Sequence, residues 1–273
     1  MADRIETFKG SRIQHGRHND RVYVMHLDES ALGDLLPSLD RLAGDNGYGK
    51  IVAKIPDVCW PAFEARGYVR EAAIPGFFNG RCDAFFVAKF LCARRRETDS
   101  APPADERADV RSDRPEKGGG PAAVADCGPS DAEALSRIYR ETFASYPFPI
   151  HRPGYLRQAM AGNVAYYGIH INGHLAAVAA AEVDAASRAC EMTDFATLPA
   201  FRRRGFAGRL LTRMHAAVRS RGLRTAYTIA RADSRGMNRI FRKSGYRFAG
   251  RLVNNTHIGG RIRSMNVWYR KMH

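Results

Sequence analysis

The sequence predicts a mixed α/β protein of the α+β kind, with helices covering a central sheet. Three observations carry that expectation. In the C-terminal half, short apolar runs alternate with stretches whose apolar residues recur every three or four positions. Asn172-Gly173, a two-residue hairpin signal, separates two of the strand-like runs. A stretch rich in Pro, Gly, Ala and mixed charge divides the 273 residues into a smaller and a larger segment.

The expected division is a smaller α/β domain at 1–93, a flexible linker at 94–121 and a larger domain at 122–273. The linker has almost no large apolar residues and cannot bury a core. In the larger domain, Leu135, Ile138, Tyr139 and Phe143 mark a helix over 131–145, opened by Ser130. Residues 165–171 and 175–183 read as a hairpin, and 190–197 as a strand ended by Leu198-Pro199. Phe206, Leu210, Met214 and Val218 then recur every four residues, so a helix runs from about Gly205 until Gly222 stops it. A strand at 224–230, a helix at 234–244 closed by Gly245, and strands at 246–253 and 262–269 around Gly259-Gly260 complete the pattern.

The two segments echo each other. FEARGYVREAAI (63–74) and FRKSGYRFAGRL (241–252) share F-x-x-x-G-Y followed by a strand, and a Gly-Arg turn follows each, at Gly80-Arg81 and Gly260-Arg261. The first segment therefore reads as a partial copy of the second.

Charge is concentrated. Residues 199–273 hold 19 Lys and Arg and a single acid, Asp233, so this stretch carries +18 of a total of +15 and the rest of the chain carries −3. Such a field favours an anionic partner. The arginines follow an alternating α/β pattern without helix-turn-helix or zinc-finger spacing, which argues against a nucleic-acid module. Five scattered cysteines without a C-x-x-C pair fit reduced thiols in the cytoplasm. No run of about 18 apolar residues suggests a membrane span, and the polar N-terminus lacks the apolar centre of a signal peptide. The histidines show no metal-ligand spacing, so no metal is expected.

FRRRGFAGRLLTR (201–213) holds the main functional signal. Its glycines fall where a strand gives way to a helix, and the first backbone N–H groups of a helix lack partners. Arginines beside that turn can bind phosphate through a bidentate fork, so the stretch has the chemistry of a pyrophosphate cradle. Arg202-x-x-Gly205-x-Ala207, following a strand and opening an amphipathic helix, resembles the acetyl-CoA signature of the GNAT superfamily of N-acetyltransferases. Residues 122–273 carry that resemblance. SRIQHGRHNDRVYVMHL (11–27), GYGKIVAKIP (47–56), TDFATLP (193–199) and SRGMNRIFRKSGY (234–246) narrow it to β-lysine N6-acetyltransferases.

The resemblance implies a GNAT-type mixed sheet flanked by helices, preceded by a smaller domain that is a degenerate copy. It implies acetyl transfer from acetyl-CoA to the N6 amine of β-lysine, giving a compatible solute. Arg202, Arg203, Arg204, Gly205, Phe206, Ala207 and Gly208 would hold the pyrophosphate. Backbone N–H groups of Phe195, Ala196 and Thr197 would hold the pantetheine arm, with Ser234, Asn238 and Phe241 also on the cofactor side. An ε-type ammonium with a pKa of ~10.4 needs a base. Glu191 and Asp194 are the candidates, although three-residue spacing sends them to opposite faces of a regular strand unless a bulge intervenes.

The family's usual tyrosine, a proton donor to the leaving thiolate, is Phe241 here, so Tyr246 or Ser234 would serve unless the thiolate leaves unprotonated. His15, Asn19, Asp20 and Arg21 form an early polar cluster, and Arg251 or Arg263 could meet a substrate carboxylate. The alternatives are another amine acceptor (a polyamine, an aminoglycoside or a protein lysine), a nucleic-acid-binding module, or a non-catalytic acetyl-CoA sensor. A homodimer is left open.

Overall fold

A single 13-stranded sheet runs through the protein in a computed structural model that describes residues 3–97 and 123–272. The N-terminal half begins with β1 (Arg4–Phe8), β2 (Ser11–Gly16) and β3 (Arg21–His26), then crosses through α1 (Leu32–Asn46) to β4 (Lys50–Pro56). It continues through α2 (Trp60–Glu64), β5 (Val69–Phe78) and β6 (Cys82–Phe90) to one helical turn, α3 (Ala93–Arg96). The C-terminal half starts with β7 (Val124–Cys127), α4 (Ala132–Thr142) and α5 (Pro153–Ala161). A hairpin of β8 (Val164–Ile171) and β9 (His174–Asp184) leads to β10 (Ala189–Thr197), α6 (Phe206–Ser220) and β11 (Thr225–Arg231). Then α7 (Arg235–Lys243) precedes the hairpin of β12 (Arg247–Ile258) and β13 (Arg261–Lys271).

The strand order is β1-β2-β3-β4-β6-β5-β12-β13-β11-β10-β9-β8-β7. It reads nearly the same from both ends inward. Each half contains one parallel pair, β3·β4 or β10·β11, joined by a crossover helix, α1 or α6. Each then adds a short helix and an antiparallel hairpin. The halves meet at β5·β12, where Gly250 pairs with Ala72. The F-x-x-x-G-Y echo thus falls on equivalent elements: Phe63 and Phe241 are core residues at 0% and 1% exposure, and Gly67 and Gly245 have φ of +78° and +82°.

Local chemistry explains the elements. Asn172 and Gly173 have φ of +51° and +78°, the mirror-image turn that matches strand twist. Gly259 and Gly260 do the same between β12 and β13. On α6, Phe206, Leu210, Leu211, Met214 and Val218 are buried against the sheet, each side chain stabilising by roughly 1.5–3 kcal/mol. α4 and α5 pack with the other face of β8–β10, and α1 and α2 cover β3, β4 and β6.

Four expectations change. β12 continues through Asn254-Asn255-Thr256, because its ladder with β13 breaks after Leu252, with Asn254 at φ +42°, and resumes at Thr256, leaving Asn255 and Thr256 buried. α5 is an additional helix, hidden in the sequence by its Pro-Gly start. β7 is an additional strand immediately after the linker. The linker's first residues are structured: Arg95 is 2% exposed and lies 3.6 Å from Asp20. Most of the expected linker, 98–121, lies outside the described residues. Among those described, no helix is long and apolar enough to cross a membrane.

Candidate active site

Two turns of positive φ shape the link between β10 and α6. Arg203 adopts φ +65° and Gly205 φ +76°, so the chain reverses sharply into the helix. No side chain caps α6, which leaves its first N–H groups facing outward. A Cβ built on Gly205 or Gly208 meets nothing within 4 Å, so that side of the turn is open. Arg202, Arg203 and Arg204 are all exposed around it. Arg202 Nε donates to Thr197 O at 3.3 Å and Arg204 Nη2 to Ala200 O at 3.3 Å, which holds two of the three against the turn. A helix start without a cap, flanked by arginines and glycines, suits a pyrophosphate.

Beside this turn the sheet splits. β10 and β11 pair only from Ala189–Glu191 to Thr225–Tyr227 and then part. Beyond Glu191 that edge of β10 has no strand partner, so its backbone groups are available to an extended ligand arm. A cavity of about 890 Å³ occupies the split. It is lined from one face by Met237 and Phe241 of α7 and from the other by Tyr146, Tyr155 and neighbours near α5. The N-terminal half closes it, with Arg21 and Tyr23 of β3 and Lys54 of β4.

Glu191 and Asp194 both line this cavity. The β9·β10 register slips by one residue between Thr193 and Ala196, and Asp194 takes φ +54°. That bulge brings Asp194 onto the face of Glu191, as bulges near active sites do. Burial pushes the Glu191 carboxyl up to about 8, and the charge of Glu182 adds to the rise, while Lys54 and a hydrogen bond from Tyr227 oppose it. Asp194 rises to about 6 by burial, restrained by Tyr146, whose hydroxyl donates to Asp194 Oδ1 at 2.6 Å. Lys54 is lowered by desolvation and held up by Asp184, Glu191 and Glu182. Glu191, Asp194 and Lys54 along the cavity, with the exposed Glu182 at its lining, form an environment suited to a substrate ammonium and to proton removal.

The other sequence-predicted residues divide. Phe195, Ser234 and Phe241 line the cavity, and Phe195 packs edge-on against Phe241 at 5.6 Å. Ala196 is buried, and Ala196 and Thr197 pair with β9 through their other edge. Asn238 staples elements together: its Nδ2 donates to Arg231 O and Ser234 O, and its Oδ1 accepts from Asn266 and Trp268. Tyr246 requires a correction. It is 4% exposed, does not line the cavity, and its hydroxyl bonds His215 Nε2 at 2.9 Å inside the α6 core, away from Glu191 and Asp194 on the lining. Arg251 and Arg263 also lie off the cavity lining; Arg263 pairs with Asp233.

Sequence reasoning missed Tyr227, Tyr23, Lys54, Glu182 and Tyr146. Tyr227 was within reach, because the strand after a crossover helix pairs in parallel and places a residue beside Glu191. The rest depend on the curl of the sheet.

Residues 132–246 match the Acetyltransferase (GNAT) family. Across 275 aligned residues, 98% of this chain and 98% of the relative, the protein is 34% identical to a β-lysine N(6)-acetyltransferase of Methanococcus maripaludis. The chain belongs to the GNAT acetyltransferase family. This acetyltransferase is also 36% identical to a β-lysine N(6)-acetyltransferase of Methanosarcina mazei over 52% of the chain and 53% of the relative. It is 26% identical to the N-acetyltransferase YodP of Bacillus subtilis over 95% of each. Members of the family take their acetyl group from acetyl-CoA, and the uncapped start of α6, the open glycines and the unpaired β10 edge fit that donor.

Proposed function

We propose that this acetyltransferase moves the acetyl group of acetyl-CoA to the N6 amine of β-lysine, producing N6-acetyl-β-lysine as a compatible solute. The match to the Methanococcus maripaludis enzyme over almost the full length of both chains carries this reading. The cavity adds chemical support. β-Lysine has two ammonium groups and one carboxylate, and the cavity lining offers Glu182, Glu191 and Asp194 together with Arg21 and Lys54.

In this reading the arginine-glycine turn, Arg202 to Gly208, holds the pyrophosphate, and the backbone of Phe195–Thr197 holds the pantetheine arm and polarises the thioester carbonyl. Glu191 takes a proton from the N6 ammonium, directly or through water. Tyr227 fixes the orientation of that carboxylate, and Asp194, held by Tyr146, attracts the incoming cation. The neutral amine attacks the carbonyl carbon; the new C–N bond forms, the C–S bond breaks, and the nitrogen gives up its second proton to water. Phe241 offers no proton and Tyr246 lies off the cavity lining, so the sulfur departs as thiolate, an acceptable leaving group given a thiol pKa of ~8.5. The compartment we assign is the cytoplasm, where the five free thiols would stay reduced.

Thiol release from acetyl-CoA tests the proposal, with β-lysine, α-lysine, spermidine and no acceptor compared at one pH. The expected result is turnover with β-lysine at a kcat/KM well above the others. Turnover confined to another amine would overturn the acceptor while leaving the donor.

A further inference from the structure

We infer that Arg21, carried into the cavity by the N-terminal half, receives the carboxylate of the amino-acid acceptor. The inference rests on the reading just given and adds the residue that distinguishes an amino acid from a simple diamine. Arg21 is 3% exposed yet lines the cavity. Its Nη1 donates to Asn255 O at 2.7 Å and Thr256 Oγ1 at 3.1 Å, and its Nη2 to Gln14 Oε1 at 3.3 Å. All three acceptors are neutral. Among the described residues no ion pair joins Arg21 to a carboxylate, and its Nε has no partner.

A buried guanidinium without a counter-charge is costly to maintain. The neighbouring acids are already engaged. Glu71 pairs with Lys50 at 2.7 Å. Asp20 faces Arg95 at 3.6 Å. Asp3 accepts from Asn19 Nδ2 at 2.6 Å. Arg21 is left to be matched from the cavity, and a carboxylate can accept from Nε and Nη2 as a fork.

The spacing agrees. Tyr23 lies two residues along β3 on the same face, ~6.6 Å from Arg21 in Cα terms, and its ring centroid is 5.0 Å from Arg21 Cζ. The Tyr23 hydroxyl is buried, and the Glu191 charge raises its pKa further; Tyr23 and Glu191 both line the cavity. In extended β-lysine, six bonds separate N6 from the carboxyl carbon, about 7.5 Å at ordinary bond lengths and angles. Arg21 and Glu191 both line the cavity, so an acceptor of that length with its N6 amine at Glu191 can direct its carboxylate toward Arg21. The other cations of the cavity are matched or wet: Lys54 faces Glu182 and Glu191, Arg231 lies 3.8 Å from Asp233, and Arg12 is exposed.

The test uses the full chain with three acceptors: β-lysine, its carboxamide, and 1,4-diaminopentane, which is β-lysine without the carboxylate. Wild type should lose about 10²-fold or more in kcat/KM when the carboxylate is removed or neutralised, mostly through KM. Arg21→Gln should lose a similar factor for β-lysine alone, leaving the diamine and the KM of acetyl-CoA within about twofold. Arg21→Lys should fall between, and it serves if Arg21→Gln does not fold. Equal use of β-lysine and 1,4-diaminopentane by wild type, or unchanged discrimination in the variants, would overturn the inference while leaving β-lysine as acceptor. Turnover of spermidine without β-lysine would instead overturn the acceptor, and the role of Arg21 with it.

Discussion

Tyr227 stands directly opposite Glu191 across the three-residue parallel ladder of β10 and β11, and the interaction of its hydroxyl with the Glu191 carboxyl holds that pKa down. That interaction favours the ionised form of a carboxyl that burial and Glu182 hold neutral. Three variants should therefore move one titration in different directions. With Glu191 as base, kcat/KM should rise about tenfold per pH unit below about 8 and level off above it. Tyr227→Phe and Lys54→Met each remove an influence that lowers the Glu191 pKa, and should shift the limb to higher pH. Glu182→Gln removes a like charge and should shift it to lower pH. A pH–rate profile for each variant checks the signs, and Glu191→Gln should lose roughly 10²–10³ in kcat with the limb abolished.

The same carboxyl makes a stability prediction. Its folded pKa of about 8 lies above the ordinary value of 4.5, so between those pH values the folded state binds the extra proton. Unfolding free energy from this group therefore falls as pH rises through that window. Glu191→Gln should melt higher than wild type at pH 8.5, by roughly 3 °C or more, with the difference shrinking toward pH 5. Thermal melts at both pH values decide it.

Asp194 is held at φ +54° in the β10 bulge. Asparagine tolerates that conformation and a β-branched residue does not. Asp194→Asn should keep the wild-type melting temperature within about 2 °C, whereas Asp194→Val should cost about 1–2 kcal/mol or more. Denaturant unfolding of the pair measures the difference.

For the cofactor turn, the expected change is confined to one substrate. Gly205→Ala puts a Cβ into the open side of the turn and strains φ +76°, and Arg202→Ala removes a charge beside it. Each should raise the KM of acetyl-CoA by about tenfold, near 1.4 kcal/mol, with the acceptor KM unchanged. Initial rates with each substrate varied in turn would show it.

Gly250 faces the backbone of the other half. A Cβ there would lie 2.2 Å from Glu71 O and 2.6 Å from Ala72 Cα, at φ +147°. Gly250→Ala should cost several kcal/mol, since the obstruction is main chain and cannot rotate away. Chemical denaturation should show a lower midpoint.

How much of this was legible follows from the range of each signal. The arginine-glycine turn, the Asn172-Gly173 hairpin and the α6 stripe are local, and each appears where spacing placed it. Glu191 and Asp194 were legible as carboxyls, and their shared face depends on one extra residue in a ladder, which spacing could suggest without fixing. Lys54 and Tyr23 were hidden for a different reason, and Arg21, legible as part of a polar cluster, could not be placed for the same one. They lie on β3 and β4, five or more strands from β10 in the sheet order, and only the curl of the whole sheet returns them to the cavity. Tyr246 misled because a tyrosine near the right position in sequence can point into the core instead.

The two crossovers differ in one respect. In the C-terminal half the parallel strands part after three paired residues, whereas β3 and β4 remain paired over four, Arg21–Val24 with Lys50–Ala53. Beside that longer ladder, the crossover into α1 carries no glycine-arginine turn of the kind that precedes α6. The N-terminal half supplies part of the cavity wall instead, through Arg21, Tyr23 and Lys54. On the roles proposed above, chemistry and choice of acceptor fall to different stretches of chain, and substitutions within 4–56 are expected to retune which amine is accepted while leaving the turn at Arg202 and the strand at Glu191 as they are.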